Sequence, residues 1–376
     1  MRLALVHDWV VAIGGGERCL EVFHELWPEA PLFTLVCSEA SVEKIGFSRK
    51  QVHTSFIQKL WKAEKKYRSY LPFFPLAIEQ FDLSGYDVIL SSSHCAAKGV
   101  LTRADQVHVC YCHTPVRYAW DLTHQYLREN NLERGIKATV ARAVLHYIRM
   151  WDVQTANRVD KFLANSQYTA KRIWRAYRRE ADVVYPPVDI SRFEVVGDKE
   201  NYFLFLSRLV PYKKADLVVQ AFTELGLPLV VAGDGPQMPE LKRIAGKNVE
   251  LLGYKTDEQV VELVSRARAL IFAADEDFGI VPVEAQAAGT PVIAFGRGGV
   301  TETVVSAKEA RFDKATGIFF DEQTVASLAA AVKEFIKIED KFDRKVIRKN
   351  AERFSRERFK KEIKDKVNEA VCSAGR

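Results

Sequence analysis

Residues 3–27 read LALVHDWVVAIGGGERCLEVFHELW. Leu3-Ala4-Leu5-Val6 is an unbroken apolar run, the mark of a strand buried on both faces of a parallel sheet. The polar pair His7-Asp8 interrupts that run at once, and a loop follows that closes on Gly14-Gly15-Gly16-Glu17. Cys19, Leu20, Phe23, Leu26 and Trp27 then recur at helical spacing. Strand, glycine loop and helix form the opening unit of an α/β fold with a parallel sheet, and further strands are predicted over 86–91 and 107–111.

The join to a second unit is legible. Val183-Val184-Tyr185-Pro186-Pro187-Val188-Asp189 runs from a strand into a stiff Pro-Pro segment, and residues 194–201 are polar and turn-like, as linkers are. The pattern then restarts with a predicted strand over 202–206, a basic loop over 207–214 and a helix over 215–225. That helix carries Leu217, Val218, Ala221, Phe222 and Leu225 on one face. A strand over 228–232 meets the turn Gly233-Asp234-Gly235-Pro236, and strands are predicted at 269–274 and 292–295. The expected organisation is a first domain over 1–190, a second over 200–350, and a C-terminal helix over 351–376 that packs back on the first.

Bulk properties agree with this division. A chain of 376 residues is long for one core and suits two domains. A net charge of +6, from 55 Lys+Arg against 49 Asp+Glu, is too weak to imply a nucleic-acid partner. None of the six cysteines forms a CxxC pair, and Cys110 and Cys112 share one face of a strand, so buried thiols in a reducing compartment are expected. The N-terminus does not read as a signal peptide, and no apolar stretch approaches the ~20 residues that span a bilayer. The expectation is a cytoplasmic protein whose membrane contact, if any, is peripheral.

Four loops carry the chemistry. Glu276-Asp277-Phe278-Gly279-Ile280-Val281-Pro282-Val283-Glu284 follows a strand, with Pro282 placed for a first helical turn and Glu284 expected in that turn. Carboxylates at the carboxyl edge of a parallel sheet accept hydrogen bonds from sugar and ribose hydroxyls, and a helix N-terminus offers free N–H groups. Ser207-Arg208-Leu209-Val210-Pro211-Tyr212-Lys213-Lys214 also sits between strand and helix, where Arg208 and Lys213 suit a diphosphate. Gly14-Gly15-Gly16-Glu17 permits close backbone approach and is not the GxGxxG of a dinucleotide fold. Tyr111-Cys112-His113-Thr114-Pro115-Val116-Arg117-Tyr118-Ala119-Trp120-Asp121 places a histidine and aromatics at a strand end. Taken singly, each loop suits a structural role equally well: a dipole partner, a solvated basic turn, a tight corner, a satisfied histidine.

Together, and with Ala164-Asn165-Ser166 and Tyr185-Pro186-Pro187-Val188-Asp189, these motifs resemble glycosyltransferase family 4, the group 1 glycosyl transferases, over nearly the whole chain. The Tyr-Cys-His-Thr-Pro run is similar to mannosyltransferases that build O-antigen and exopolysaccharide. The resemblance implies a GT-B fold: α/β, with two facing Rossmann-like domains, parallel sheets and a deep interdomain cleft. It implies retention at the anomeric carbon without a metal or other cofactor, with a nucleotide-sugar donor expected to be GDP-mannose. By that resemblance Arg208 and Lys213 bind the donor diphosphate. Glu276, with N–H groups near Phe278 and Gly279, holds the sugar, and Glu284 the ribose. Gly15 and Gly16 approach the phosphate, and His113 lies by the reacting sugar. With no well-placed carboxylate nucleophile visible, same-face attack with the leaving phosphate taking the acceptor proton is the family-level expectation.

The acceptor implied is a saccharide on polyprenyl diphosphate, with Arg117 on the acceptor side. Phe56, Ile57, Leu60, Trp61, Tyr67 and Leu71 fall at roughly helical spacing among Lys59, Lys62, Lys65, Lys66 and Arg68, followed by Phe73 and Phe74. This predicts a basic amphipathic helix with an aromatic tip, docked peripherally on the anionic inner face of the plasma membrane. The competing readings are a nucleotide-sugar 2-epimerase of the same fold, a sugar-nucleotide-binding protein without catalysis, and a nicotinamide oxidoreductase, the last disfavoured by the absence of GxGxxG.

Overall fold

The computed structural model describes residues 1–308 and 310–375. The chain forms two compact units, Met1–Pro187 with the C-terminal residues from Glu357 onward, and Val188–Arg356. The expected limits were 190, 200–350 and 351–376; the chain divides at 187/188 and returns to the first unit at 357.

The first unit holds seven strands: β1 (Leu3–Val10), β2 (Leu32–Cys37), β3 (Val52–Thr54), β4 (Val88–Ser93), β5 (Val107–Cys112), β6 (Lys161–Ala164) and β7 (Ala181–Val183). All pair in parallel, in the order β3-β2-β1-β4-β5-β6-β7. Helix α1 (Gly15–Leu26) follows β1 and buries Cys19, Leu20, Val22 and Phe23. The second unit holds β8 (Phe203–Leu206), β9 (Leu229–Ala232), β10 (Val249–Gly253), β11 (Ala269–Phe272), β12 (Val292–Phe295) and β13 (Gly317–Phe320). They too are parallel, in the order β10-β9-β8-β11-β12-β13. Each sheet is wound outward in both directions from its first strand, so the direction reverses between β1 and β4 and again between β8 and β11. Such a reversal leaves an open crevice at the carboxyl ends of those two strands, where α/β proteins bind ligands.

β1 does not stop at His7. It continues through His7, Asp8 and Trp9 to Val10, because both polar side chains are buried against polar neighbours from adjacent loops instead of emerging into solvent. The basic segment after β3 also departs from the sequence prediction. It is no continuous amphipathic helix but a 3-10 turn (Phe56–Lys59), one helical turn (Ala63–Lys66), a 3-10 stretch (Tyr67–Phe73) and a short helix (Phe74–Glu79). Lys62 adopts a left-handed backbone (φ 50°) and Pro72 lies within the 3-10 stretch, and neither conformation propagates an α-helix. Phe74, expected at an exposed tip, is 2% exposed and packs near Trp9 with ring centroids 5.9 Å apart. Phe73 remains 50% exposed, and Lys59, Lys62 and Lys65 are exposed.

Two further helices matter below. α2 (Ile136–Thr155) buries Leu145, Ile148, Trp151 and Asp152. In α3 (Ala215–Leu225), Leu217, Val218, Ala221 and Phe222 face the core of the second unit, as their spacing requires. The C-terminal helix runs over Arg356–Ser373, and its Phe359, Ile363 and Val367 are buried in the core of the first unit. Phe359 stacks on Phe23 (centroids 5.8 Å) and meets Tyr111 edge-on (5.5 Å).

That packing makes the last helix a core element of the first unit. Phe359→Ala is expected to cost about 3–5 kcal/mol of unfolding free energy in urea titration. A loss below about 1 kcal/mol would show the helix to be only superficially attached.

Candidate functional site

In the second unit, the two loops at the winding reversal are braced by glycines. The loop after β8 carries Arg208 and Lys213; Leu209 N–H donates to Asp234 O (2.9 Å) and Gln237 N–H to Leu209 O (3.1 Å). A Cβ on Gly233 or Gly235 would strike the carbonyls of Ser207 and Leu209, so only glycine lets the next loop pass this close. Arg208 Nη2 donates to the Tyr212 hydroxyl (3.0 Å), and Lys213 Nζ stands 5.5 Å from the centre of the same ring. Both cations therefore gather about Tyr212. The loop after β11 brings Glu276 into direct ion pairing with Lys213, each side chain 17% exposed. Gly298 and Gly299 support Glu276 from behind. Gly299 N–H donates to Glu276 O (2.8 Å), and at Gly298 (φ 82°) a Cβ would strike that same carbonyl.

Phe278 is buried beside Phe354 (centroids 5.5 Å), and Gly279, with φ 87°, caps a helix over Ile280–Ala287, α4 here. Glu284 is the fifth residue of α4, half-buried, not in the first turn as predicted. The reason is that the left-handed Gly279 starts the helix at Ile280, which places Pro282 third.

In the first unit, the corresponding crevice holds a cluster of which only Gly15, Gly16, Glu17 and His113 were singled out from sequence. Asp8, fully buried on β1, accepts four backbone N–H groups at 2.5–2.9 Å from His94, Cys95, Ala96 and Ala97. Its Oδ2 also lies 3.0 Å from His94 Nδ1. Burial alone would raise the Asp8 pKa, but His94, His7 and these N–H groups together hold it below the ordinary carboxylate value. Glu17, on the first turn of α1, accepts the Gly14 N–H (2.9 Å) and stands 3.7 Å from His7 Nε2, a charge contact too long for a hydrogen bond. Burial again opposes ionisation, and His7 overcomes it, taking Glu17 down to about 2.

Three imidazoles complete the cluster. The ring centroids of His7, His94 and His113 lie 6.0–6.4 Å from one another. His113 Nε2 shares a hydrogen bond with Ser92 Oγ (2.8 Å). Burial, helped by His94 and His7, lowers the His113 pKa to about 3, so this ring is neutral. Neither ring nitrogen of His7 has a hydrogen-bond partner among the described residues. Gly16 lies over the group, where a Cβ would sit 3.5–3.7 Å from His113 and His7. Gly15 opens α1 beside it.

The loop that holds Asp8 is itself anchored. Lys98, buried, forms an ion pair with Asp152 Oδ1 (2.8 Å), while its hydrogen bonds go to Asp152 O and Thr155 Oγ1, each 2.7 Å. Asp152 Oδ2 accepts from Trp120 Nε1 (2.7 Å) and the Tyr177 hydroxyl (2.8 Å). The aromatics of the His-Thr-Pro run thus serve partly as scaffold. Arg117, half-buried, lies four residues past His113.

Comparison with known proteins now bears on these two crevices. A family model described as Glycosyltransferase Family 4 matches residues 13–192, and one described as Glycosyl transferases group 1 matches residues 189–354. The mouse alpha-1,3/1,6-mannosyltransferase is 28% identical over 310 residues, covering 71% of this chain and 69% of that one. A GDP-mannose-dependent alpha-(1-6)-phosphatidylinositol monomannoside mannosyltransferase of Mycobacterium tuberculosis is 32% identical over 233 residues, covering 52% and 56%. The match spans about half the length of several curated relatives, 55% for an uncharacterised glycosyltransferase of Methanocaldococcus jannaschii. Among solved structures, Anabaena HepE in complex with UDP-glucose superposes with TM-score 0.67 at 20% identity, covering 99% of this chain and 100% of that one. Paired Rossmann-like units with parallel sheets of seven and six strands are the GT-B fold. The chain belongs to glycosyltransferase family 4, the group 1 glycosyl transferases.

The buried titratable groups set an acid limit. Glu17, depressed in the folded state, contributes stability that is full above its unfolded value near 4.5 and is lost as pH falls toward 2. His113 binds its proton only near pH 3 when folded but near 6.5 when unfolded, so across that interval the unfolded chain binds more protons and stability falls with pH. Melting followed by circular dichroism should show a progressive drop from pH 6.5 downward. In His113→Gln the part of the drop between pH 6.5 and 4.5 should shrink; an unchanged profile would contradict the buried neutral imidazole.

Proposed function

We propose that the protein transfers a hexose, mannose from GDP-mannose, with retention and without a metal, to a saccharide carried on polyprenyl diphosphate in cell-surface polysaccharide synthesis. The observation that carries this reading is the Lys213–Glu276 ion pair, set between two glycine-braced loops at the β8/β11 reversal. In the free protein each side chain neutralises the other. A bound nucleotide-sugar gives each a separate partner: diphosphate oxygens for Lys213 and Arg208, sugar hydroxyls for Glu276 and the N–H groups near Phe278 and Gly279. Glu284, on α4, is assigned to the ribose. As the bond to the anomeric carbon breaks, negative charge grows on the diphosphate, and Arg208 and Lys213 stabilise it where a metal would in other transferases.

The mannosyltransferase relatives support the sugar, and GDP-mannose dependence of the mycobacterial one supports the donor. The structures of Anabaena HepE contain UDP or UDP-glucose, which makes UDP-glucose the principal rival donor. Gly15, Gly16 and His113 are assigned to the transferred sugar and its phosphate, and Arg117 to the acceptor.

The acceptor reading includes an anionic membrane surface on the cytoplasmic side. Its support is no longer a single helix. Trp61 (63% exposed) and Phe73 stand out among Lys59, Lys62, Lys65 and Lys66, with Lys66 Nζ 3.9 Å from the Trp61 ring centre. On α2, exposed Ile136, Val140, Tyr147 and Met150 form a second apolar stripe beside Lys137 and Arg142, and the only acidic residue of that helix, Asp152, is buried. Exposed apolar side chains among cations that outnumber the one exposed acid, Glu64, suit an anionic lipid face better than a second copy of the same basic helix. Among the described residues no helix is long and apolar enough to cross a membrane.

A screen of nucleotide-sugars by thermal shift and by slow donor hydrolysis tests the donor assignment. GDP-mannose is expected to stabilise and to turn over, and stabilisation by UDP-glucose alone would overturn the choice. Conversion of the donor to its 2-epimer without acceptor would establish the epimerase instead. Lys213→Ala should lower transfer by about 10²-fold or more while leaving the melting temperature nearly unchanged; equal loss of both would count against a transition-state role. For the membrane, flotation with phosphatidylglycerol vesicles at low salt should retain the protein and phosphatidylcholine vesicles should not. Indifference to lipid charge, or to Lys62→Glu with Lys65→Glu, would remove the docking claim.

A further inference from the structure

The second unit has a cavity at the edge of its sheet opposite the β8/β11 crevice. Lys199 precedes β8, Arg268 precedes β11 and Pro291 precedes β12, so these residues meet at the amino ends of those strands. With Phe335, Phe342 and Arg344 they line a space of about 250 Å³, and all of them belong to the second unit.

Lys199 stands there without an acidic partner. Its Nζ donates to Ser265 O and Thr290 Oγ1, each at 2.6 Å, and to Ala288 O at a stretched 3.4 Å. These acceptors are uncharged, and among the described residues no carboxylate comes within ion-pair distance of Nζ. Burial, and then the neighbouring Arg344, lower the Lys199 pKa from 10.5 to about 7. Arg344 opens the helix over Arg344–Ala351 and gives Nη1 to Val196 O (3.0 Å) and to Gly197 O. Its Nε and Nη2 have no hydrogen-bond partner among the described residues. The third cation differs. Arg268 Nε donates to Glu339 Oε2 (2.6 Å) and its Nη2 to Oε1, so its charge is met. Asp340, the remaining charged residue of the lining, is exposed.

Two cations that share a cavity and lack a counter-charge are costly to hold there, and each opposes the other. An oxyanion between them removes both penalties. The planar fork of an arginine and the compact ammonium of a lysine are the two side-chain donors that phosphate takes most readily. A dianion balances both charges. The volume is more than a bare phosphate fills, which leaves room beside Phe335 and Phe342 for the body of a small ester.

We propose that Lys199 and Arg344 hold a phosphate group in this cavity, as the free ion or on a small ester. Arg344 binds it through Nε and Nη2, and Lys199 through the proton now directed weakly at Ala288 O. The site is separate from the diphosphate contacts assigned to Arg208 and Lys213 and does not depend on that assignment.

Calorimetric titration of the full-length protein with inorganic phosphate and with glycerol 3-phosphate tests this, in the wild type and in Lys199→Met, Arg344→Met and Lys213→Ala. Binding is expected to survive Lys213→Ala and to weaken about tenfold or more in Lys199→Met and in Arg344→Met. Tighter binding of the ester would identify an ester site, and equal binding a site for the free ion. Wild-type affinity should fall about three- to tenfold from pH 8 to pH 9 as Lys199 loses its proton, and Lys199→Met should lack that fall. Lysine ¹³Cε NMR of the wild type needs no variant: one resonance titrating near pH 7 should move to higher pH when phosphate is added. No binding at millimolar phosphate, loss of binding in Lys213→Ala alone, undiminished binding in Lys199→Met, or a titration that phosphate leaves unmoved would overturn the proposal.

Discussion

Both units obey one constraint. A parallel sheet wound outward from its first strand must, at the reversal, send two neighbouring strands into loops that part in opposite directions. Most of the chemically distinctive groups lie on those loops or on the strand ends beneath them: Asp8, the glycine turn and His94 at β1/β4, and Arg208, Lys213 and Glu276 at β8/β11, with His113 joining from the end of the neighbouring β5. The crevice is a consequence of connectivity. What each unit adds is the means of holding polar side chains there, and the two means differ.

The second unit uses backbone shape. Its loops are pressed together at Gly233, Gly235, Gly298 and Gly299, where a single methyl group would strike a neighbouring backbone. That closeness delivers Lys213 to Glu276 on partly exposed side chains, so the pair can be exchanged for ligand contacts at modest cost. The first unit uses burial. Asp8 lies where a free carboxylate could not remain ionised, and the N–H groups of residues 94–97 offset that penalty. The loop that carries those N–H groups is anchored one residue on, where Lys98 is held by Asp152 and Thr155. Removing any member of that chain leaves a buried charge without its partner, which is far more costly than the loss of the contact alone.

This difference explains what could be read from sequence. Apolar runs and helical spacing located β1, β5, β8, β9, β11 and β12 and the helix over 215–225, because those elements are buried on the faces their periodicity marks. The short edge strands β3, β7 and β10 carried little pattern, since their burial is incomplete. The basic segment at 56–74 showed helical spacing, yet its residues pack as separate turns around Trp9, a tertiary partner that periodicity does not reveal. Loops that carry charge between a buried strand and a helix stand out against the apolar pattern on either side, and Arg208, Lys213 and Glu276 were legible for that reason.

Asp8 and His94 were not, although a signal was present. A His-Asp pair that interrupts an apolar strand read as the strand's end, whereas the strand runs on and the pair is buried within it. The polar run Ser91-Ser92-Ser93-His94 closing another buried strand was the second half of the same signal. Polar residues inside an otherwise apolar parallel strand must find partners or not be buried at all. Two such interruptions on strands that become neighbours at a winding reversal therefore point at each other. The physical argument runs from that necessity: the carboxylate needs donors, the loop after β4 supplies them, and the residue that begins that loop is left with an imidazole fixed on one side and open on the other.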